Sequence, residues 1–201
     1  MKKTLVALSS IVILAACSQP ATKVVVYTKG DPKVNKDDLK ISVPENGSGH
    51  NETTLQYHTG KALTMEVNSQ VGKASLPVGP GGLYIINAKP DTLIGSFVLY
   101  SAPKAAQQTY TQEFIKKQID SLQLLIEGKN ISAANRNYYV LPNTVVKVTD
   151  NPDATLVGPF HKMTSIAKEG DKEPEVYRFY TINEVRETLA KLQALTVAEK
   201  Q

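Results

Sequence analysis

Val176-Tyr177-Arg178-Phe179-Tyr180-Thr181-Ile182-Asn183-Glu184-Val185-Arg186-Glu187-Thr188-Leu189-Ala190-Lys191-Leu192 changes its hydrophobic period partway along, and that change decides the fold class. Up to Ile182 the residues are aromatic or β-branched and read as a strand. Tyr177 and Phe179 fall on one face, and Val176, Arg178 and Tyr180 on the other. From Asn183 onward Val185, Leu189 and Leu192 recur at helical spacing. Thr181 and Glu184 stand three residues apart, the capping-box pattern that opens a helix, here over about 183–197. A strand running straight into an amphipathic helix needs a second apolar layer to cover both, so the chain reads as α+β.

Working upstream, the acidic stretch Glu169, Asp171, Glu173, Glu175 reads as a solvated turn, since lysines are interspersed and a calcium-loop pattern is missing. Before it come two expected strands. One is Thr155 to Ile166, interrupted by Gly158-Pro159, and the other is Tyr138 to Thr149, with a turn at Asp150-Asn151-Pro152-Asp153. The clearest helix covers Thr109 to Glu127. Ile115, Ile119, Leu122 and Ile126 make its apolar stripe, Thr109 with Gln112 forms a capping box, and Gly128 ends it. Residues 103–201 are therefore expected to form an α-β-β-β-α module, with two helices on one face of an antiparallel sheet.

The composition changes at Ser101-Ala102-Pro103, and helical periodicity is absent before it. Val24 to Tyr27, Leu39 to Val43, Thr53 to Thr59, Ala62 to Val67, Leu83 to Asn87 and Leu93 to Tyr100 read as strands. The third and fourth look like a hairpin turned at Gly60-Lys61. Gly79-Pro80-Gly81-Gly82 lacks the ending of a phosphate loop and reads as a structural turn. Residues 24–102 are thus expected to be an all-β module, a small sandwich or barrel.

The N-terminus carries the most specific signal. Lys2 and Lys3 precede an apolar run, Leu5 to Ala16, that is shorter than the roughly 20 residues a membrane span needs and fits a secretory signal. It ends in Leu14-Ala15-Ala16-Cys17, which resembles the lipobox of bacterial lipoproteins. The resemblance implies a signal peptide over 1–16, a diacylglycerol on Cys17, a lipidated tether over 17–23, and the membrane as partner. Ser18 resembles the residue found after the cysteine in members sorted to the outer membrane. Cys17 is the one cysteine of the chain, which excludes an intrachain disulfide, and the lipidation that the resemblance implies would also remove a cysteine nucleophile and a thiolate metal site.

Charge and motifs narrow the rest. Of 23 Lys and Arg, two lie in the signal, which leaves 21 against 19 acidic residues and no basic block, so nucleic acid is not an expected partner. His50 and His58, with Glu52 between them, would lie about 26 Å apart on one strand, too far to share a metal. His161 follows the bend at Gly158-Pro159-Phe160 and reads as a sheet-edge residue. Gly-x-Ser-x-Gly is absent, and neither a cofactor nor a catalytic residue is assigned. One surface stands out: Arg178 and Tyr180, with Tyr138 or Tyr139, on the sheet face away from the helices. These are residue types enriched at protein interfaces, against the alternative of cross-strand packing with a cation–π contact. The expected function is a non-catalytic envelope lipoprotein that binds another envelope component. An envelope hydrolase with an unrecognised site, and a binder of a small ligand or glycan in the β module, remain open.

Overall fold

A computed structural model describes residues 20–99, 111–132, 134–159 and 173–198. Cys17 and His161 lie outside these. The described residues are mixed α+β, mostly strands in open sheets, with two helices.

The strands are β1 (Ala21–Lys29), β2 (Lys33–Asn35), β3 (Lys40–Ser42), β4 (His50–His58), β5 (Leu63–Ser69), β6 (Gly72–Val78), β7 (Gly82–Asn87) and β8 (Leu93–Val98), followed by β9 (Asn137–Val140), β10 (Thr144–Thr149), β11 (Thr155–Val157) and β12 (Val176–Thr181). Helix α1 is Gln112–Ile126 and α2 is Ile182–Ala198. A central sheet has the order β10-β7-β1-β4, an outer sheet β2-β3-β5-β6, and a helix-side sheet β11-β12-β8-β9.

The three sheets and the helix pair stack in layers. Val24 and Val26 of β1 pack with Ile41, Met65, Val67 and Val78 of the outer sheet. From the opposite face of β1, Val25 and Tyr27 pack with Leu93, Tyr138, Tyr177 and Phe179 of the helix-side sheet. The far face of that sheet meets the helices through Ile94, Leu125 and Val185. The central sheet is therefore covered on both sides. This explains why Val24-Val25-Val26-Tyr27 and Leu83 to Asn87 are continuous buried runs rather than alternating ones.

The helix ends follow local chemistry. At α2 the Glu184 N–H donates to Thr181 Oγ1 (3.2 Å), and the Thr181 N–H donates back to Glu184 Oε2 (2.7 Å), completing the expected box. At α1 the cap is Thr111, not the expected Thr109: its hydroxyl oxygen accepts from the Phe114 N–H at 3.2 Å. Thr109 lies outside the described residues. Gly128 ends α1 at φ 68°, with the Lys129 N–H donating to the Leu124 carbonyl at 2.7 Å. Among the described residues, no helix is long and apolar enough to cross a membrane.

Several expected pairings differ. Hydrogen bonding crosses the boundary expected at residue 102: β8 pairs with β9 and β12, while β10 pairs with β7. The expected strand 138–149 is two strands in different sheets, because Pro142 cannot donate to a ladder and Asn143 takes φ 52°. The expected hairpin at Gly60-Lys61 is a crossing between sheets. Leu55 and Met65 meet face to face in one core cluster instead of side by side in one sheet. Strand β5 instead forms a hairpin with β6. It was hidden by Pro77, which is tolerated because β6 is an edge strand. Strand β11 runs parallel to β12, so the helix-side sheet is mixed rather than antiparallel. Of the expected strand 155–166, residues 155–157 form β11, and residues 160–166 lie outside the description.

These pairings define two ends of the central sheet. Thr22, Gly82 and Thr149 share the end where β1 begins: the Gly81 N–H donates to Thr22 Oγ1 at 2.7 Å, and an added Cβ on Gly82 would meet the Thr149 carbonyl. The Gly79–Gly82 turn therefore spends an amide inside the fold and joins two sheets. Asn87, Lys89 and the start of α2 share the other end, where the Ile182 N–H donates to the Thr92 carbonyl at 3.0 Å.

Candidate functional site

The alternation along β12 sets the site. Tyr177 and Phe179 face the central sheet and are buried, which leaves Arg178 and Tyr180 on the face the helices cover. The sequence placed this pair on the face away from the helices; the helices instead lie beside it. Between α1, α2 and the helix-side sheet runs a groove of about 260 Å³. Ile94, Leu122, Leu125, Tyr180, Val185 and Leu192 make its apolar wall, and Ser96, Gln118 and Thr188 supply neutral polar groups. The Arg178 guanidinium stacks over the Tyr180 ring at 4.8 Å to the centroid. Burial pushes the Tyr180 hydroxyl above its ordinary value, while Arg178 acts the other way.

The four residues of the expected surface divide. Tyr139 joins Tyr180 in the cluster under the helices. Tyr138 points to the opposite face and is buried, its hydroxyl donating to the Val148 carbonyl at 2.5 Å and its ring edge-on to Tyr177 at 5.8 Å. The strand period explains this: Tyr138 and Val140 turn inward together, and Tyr139 turns out between them. Arg178, Tyr180 and Tyr139 thus share a face, and Tyr138 is a core residue.

Two polar arrangements were not legible in the sequence. Glu175, expected in a solvated turn, accepts hydrogen bonds from Tyr177 (2.6 Å), Thr149 (2.8 Å) and Asn151 (3.0 Å), tying the 150–153 turn to β12. Burial pushes its carboxyl up. The three hydrogen bonds, with Arg136 nearby, outweigh burial and hold it below the ordinary carboxylate range. At the other end of the sheets Lys89 is fully buried, with its Nζ 3.0 Å from His50 Nδ1. Burial lowers the Lys89 ammonium to about 8, against the pull of Asp91 and Glu184. Burial and the Lys89 charge also push His50 down. His58 pairs with Ala21 and His50 with Lys29, so the two histidines stand at opposite ends of β4.

Among the described residues, the wall of the helix groove carries no charged side chain, so what it offers is burial of an apolar group with a few neutral hydrogen bonds at its margin. Comparison with family models, with curated proteins and with solved structures gave no match for this chain.

Proposed function

We propose that this chain is a lipid-anchored cell-envelope protein, probed best as a non-catalytic binder of another envelope protein through the helix groove beside Arg178 and Tyr180. The observation that carries the anchor is the motif Leu14-Ala15-Ala16-Cys17 with β1 beginning at Ala21. Only Ser18, Gln19 and Pro20 separate the cysteine from the first strand, a reach of about 14 Å when extended. The folded body would then rest close to the bilayer, with the β1 start toward it. Two or three acyl chains on one cysteine hold far more firmly than one, since each buried CH₂ contributes about 0.8 kcal/mol. Sorting to the outer membrane follows from Ser18 under the same reading.

The partner site is supported by the apolar wall and by the Arg–Tyr pair at its side, the composition of interface centres. The chain would fold as two units, 24–102 and 103–201, with β8 and β10 exchanged between them.

Two measurements test this. Cys17→Ala is expected to abolish incorporation of an alkyne fatty acid and to leave unprocessed precursor. Undiminished labelling, or a processed chain starting elsewhere, refutes the anchor. A photocrosslinking residue at Thr188 is expected to capture one reproducible envelope protein. Arg178→Ala is expected to reduce that capture several-fold with no change in thermal midpoint. Equal capture from a probe at Lys33, on the outer sheet, would remove the groove as the site.

A further inference from the structure

Where the tether leaves the body decides which surface a bilayer meets. An added Cβ on Gly81 would stand 3.2 Å from Pro20, so the last residue of the tether lies on the Gly79–Gly82 turn, at the end of the central sheet where β1 begins. A tether of about 14 Å is less than half the length of β1, about 30 Å for its nine residues. With the anchor in place, this end of the body is the one held against the membrane.

Strand β8 comes out of the core at the same end. Val98 pairs with Val176, and the neighbouring Glu175 accepts from Thr149, whose carbonyl lies against Gly82. Burial falls along the strand. Leu93, Ile94 and Gly95 are buried, Phe97 and Val98 are half-buried, and Leu99 is 72% exposed, the most exposed large hydrophobic residue among those described. Apolar character does not fall with it. A run that stays apolar as it leaves the core gains nothing from water and suits a second apolar phase.

The neighbours of Leu99 suit the border of such a phase. Phe97, Leu99 and Arg136 line one hollow of about 240 Å³, and the Arg136 guanidinium stacks over the Phe97 ring at 4.3 Å to the centroid. Aromatic rings and snorkelling cations are favoured at the level of lipid headgroups, where a phosphate can accept from the guanidinium. Glu173 and Glu175 line the same hollow, so the phosphate contact falls to Arg136 alone and the apolar tip carries the attachment. Charge at this end is balanced among the described residues. Lys147 pairs with Asp150 at 2.6 Å, and Arg136 acts on Glu175. Lys23 and Lys61 stand against Asp153 and Glu173. A zwitterionic bilayer therefore neither attracts nor repels this end over distance, and apolar contact decides. We infer that the anchored body rests on the bilayer through the end of β8, with the Leu99 side chain inserted at the border of the acyl chains and Arg136 at the level of the headgroups.

This rests on the anchor reading of Cys17, and the test separates the two. Leu99→Cys is prepared as the acylated chain, in which the thiol at 99 is the one left to label, and intact mass checks the acyl groups. It is placed in phosphatidylcholine vesicles that contain lipids with a nitroxide high on the acyl chain. A bimane probe at 99 is expected to be quenched about threefold more strongly than the same probe in Leu141→Cys, since Leu141 lies at the other end of the body, about 30 Å away. The contrast is expected to persist in about 1 M salt, where charges are screened beyond ~3 Å. Both positions are exposed, so both variants keep the fold, and an unchanged thermal midpoint checks that. Equal quenching at the two positions, or a contrast lost in salt, on a chain whose mass shows the acyl groups, overturns the inference and leaves the anchor standing. A processed chain whose mass shows a bare Cys17 overturns the anchor and this inference with it.

Discussion

Gly95→Val is expected to lower the stability of the protein by about 4 kcal/mol, the cost of overpacking a filled core plus the loss of a buried aromatic. Gly95 lies on β8 opposite Phe179 of β12, and the Phe179 ring lies over it. An added Cβ would stand 2.2 to 2.5 Å from three carbons of that ring. The ring has no easy retreat: Phe179 is fully buried, and its neighbours are Tyr138, Tyr177 and the inward face of the central sheet. Admitting a side chain at 95 means expelling Phe179 from the layer between two sheets. Chemical unfolding would register the loss as a lower midpoint with the slope unchanged. Gly60→Val supplies the comparison, because nothing lies within 4 Å of an added Cβ there, and a change within about 0.5 kcal/mol is expected. Gly95→Ala combined with Phe179→Leu should recover part of the loss of Gly95→Ala alone, as expected for two residues in contact. Gly95→Val unfolding at the parent midpoint would mean that the ring does not rest on the glycine.

The same contact shows what the sequence could and could not disclose. Period alone located β12, α2 and their junction at Thr181-Glu184, because capping and alternation are local properties written within a few residues. It also marked Val24 to Tyr27 as a strand. That this run has no polar face was the sign of a sheet covered on both sides, and the layers bear out that physical rule. Pairing was not local. β10 belongs beside β7, some sixty residues earlier in the chain, and only the burial of Val145 and Val148 against two different layers fixes it there. The hairpin expected at Gly60-Lys61 failed for the same reason, since two apolar strands joined by a turn can lie side by side or cross between sheets. For the candidate site, Arg178 and Tyr180 were found by alternation, but which face the helices would choose depended on tertiary packing. Glu175 looked like one acid among several in a charged stretch, and only the distant Thr149 and Asn151 distinguish it. In the outer sheet β2 and β6 were not recognised as strands: one is three residues long, and the other contains Pro77.

Lys89→Met is expected to raise stability at neutral pH, by up to about 3 kcal/mol, and to remove a specific pH dependence. Lys89 follows β7 and is fully buried, with its amine against His50. Burial lowers its ammonium from 10.5 to about 8, and each unit of such a shift is worth about 1.4 kcal/mol between the two protonation states. The direction of the linkage follows from proton counts. Between about 8 and 10.5 the unfolded chain holds a proton on this amine that the folded chain has lost, so stability rises with pH across that window. Below it both states are protonated, and the full cost of the buried charge is present. Methionine fills a similar volume, carries no charge and has no such cost. The hydrogen bond to His50 is lost, but His50 is an exposed residue and water can take the place of the amine. The gain of the variant over the parent should therefore be flat between about pH 7 and pH 8 and shrink steadily toward pH 10.5, as followed by urea unfolding at a series of pH values. His50 adds an opposing check at lower pH. Burial, the Lys89 charge and the Lys29 charge depress it, so the parent should lose stability as pH falls through 6.5, and the loss should be smaller in the variant, where the Lys89 charge is gone. A variant that is less stable than the parent at pH 7, or whose advantage is the same at pH 7 and pH 10.5, would show that the buried ammonium is well compensated where it lies.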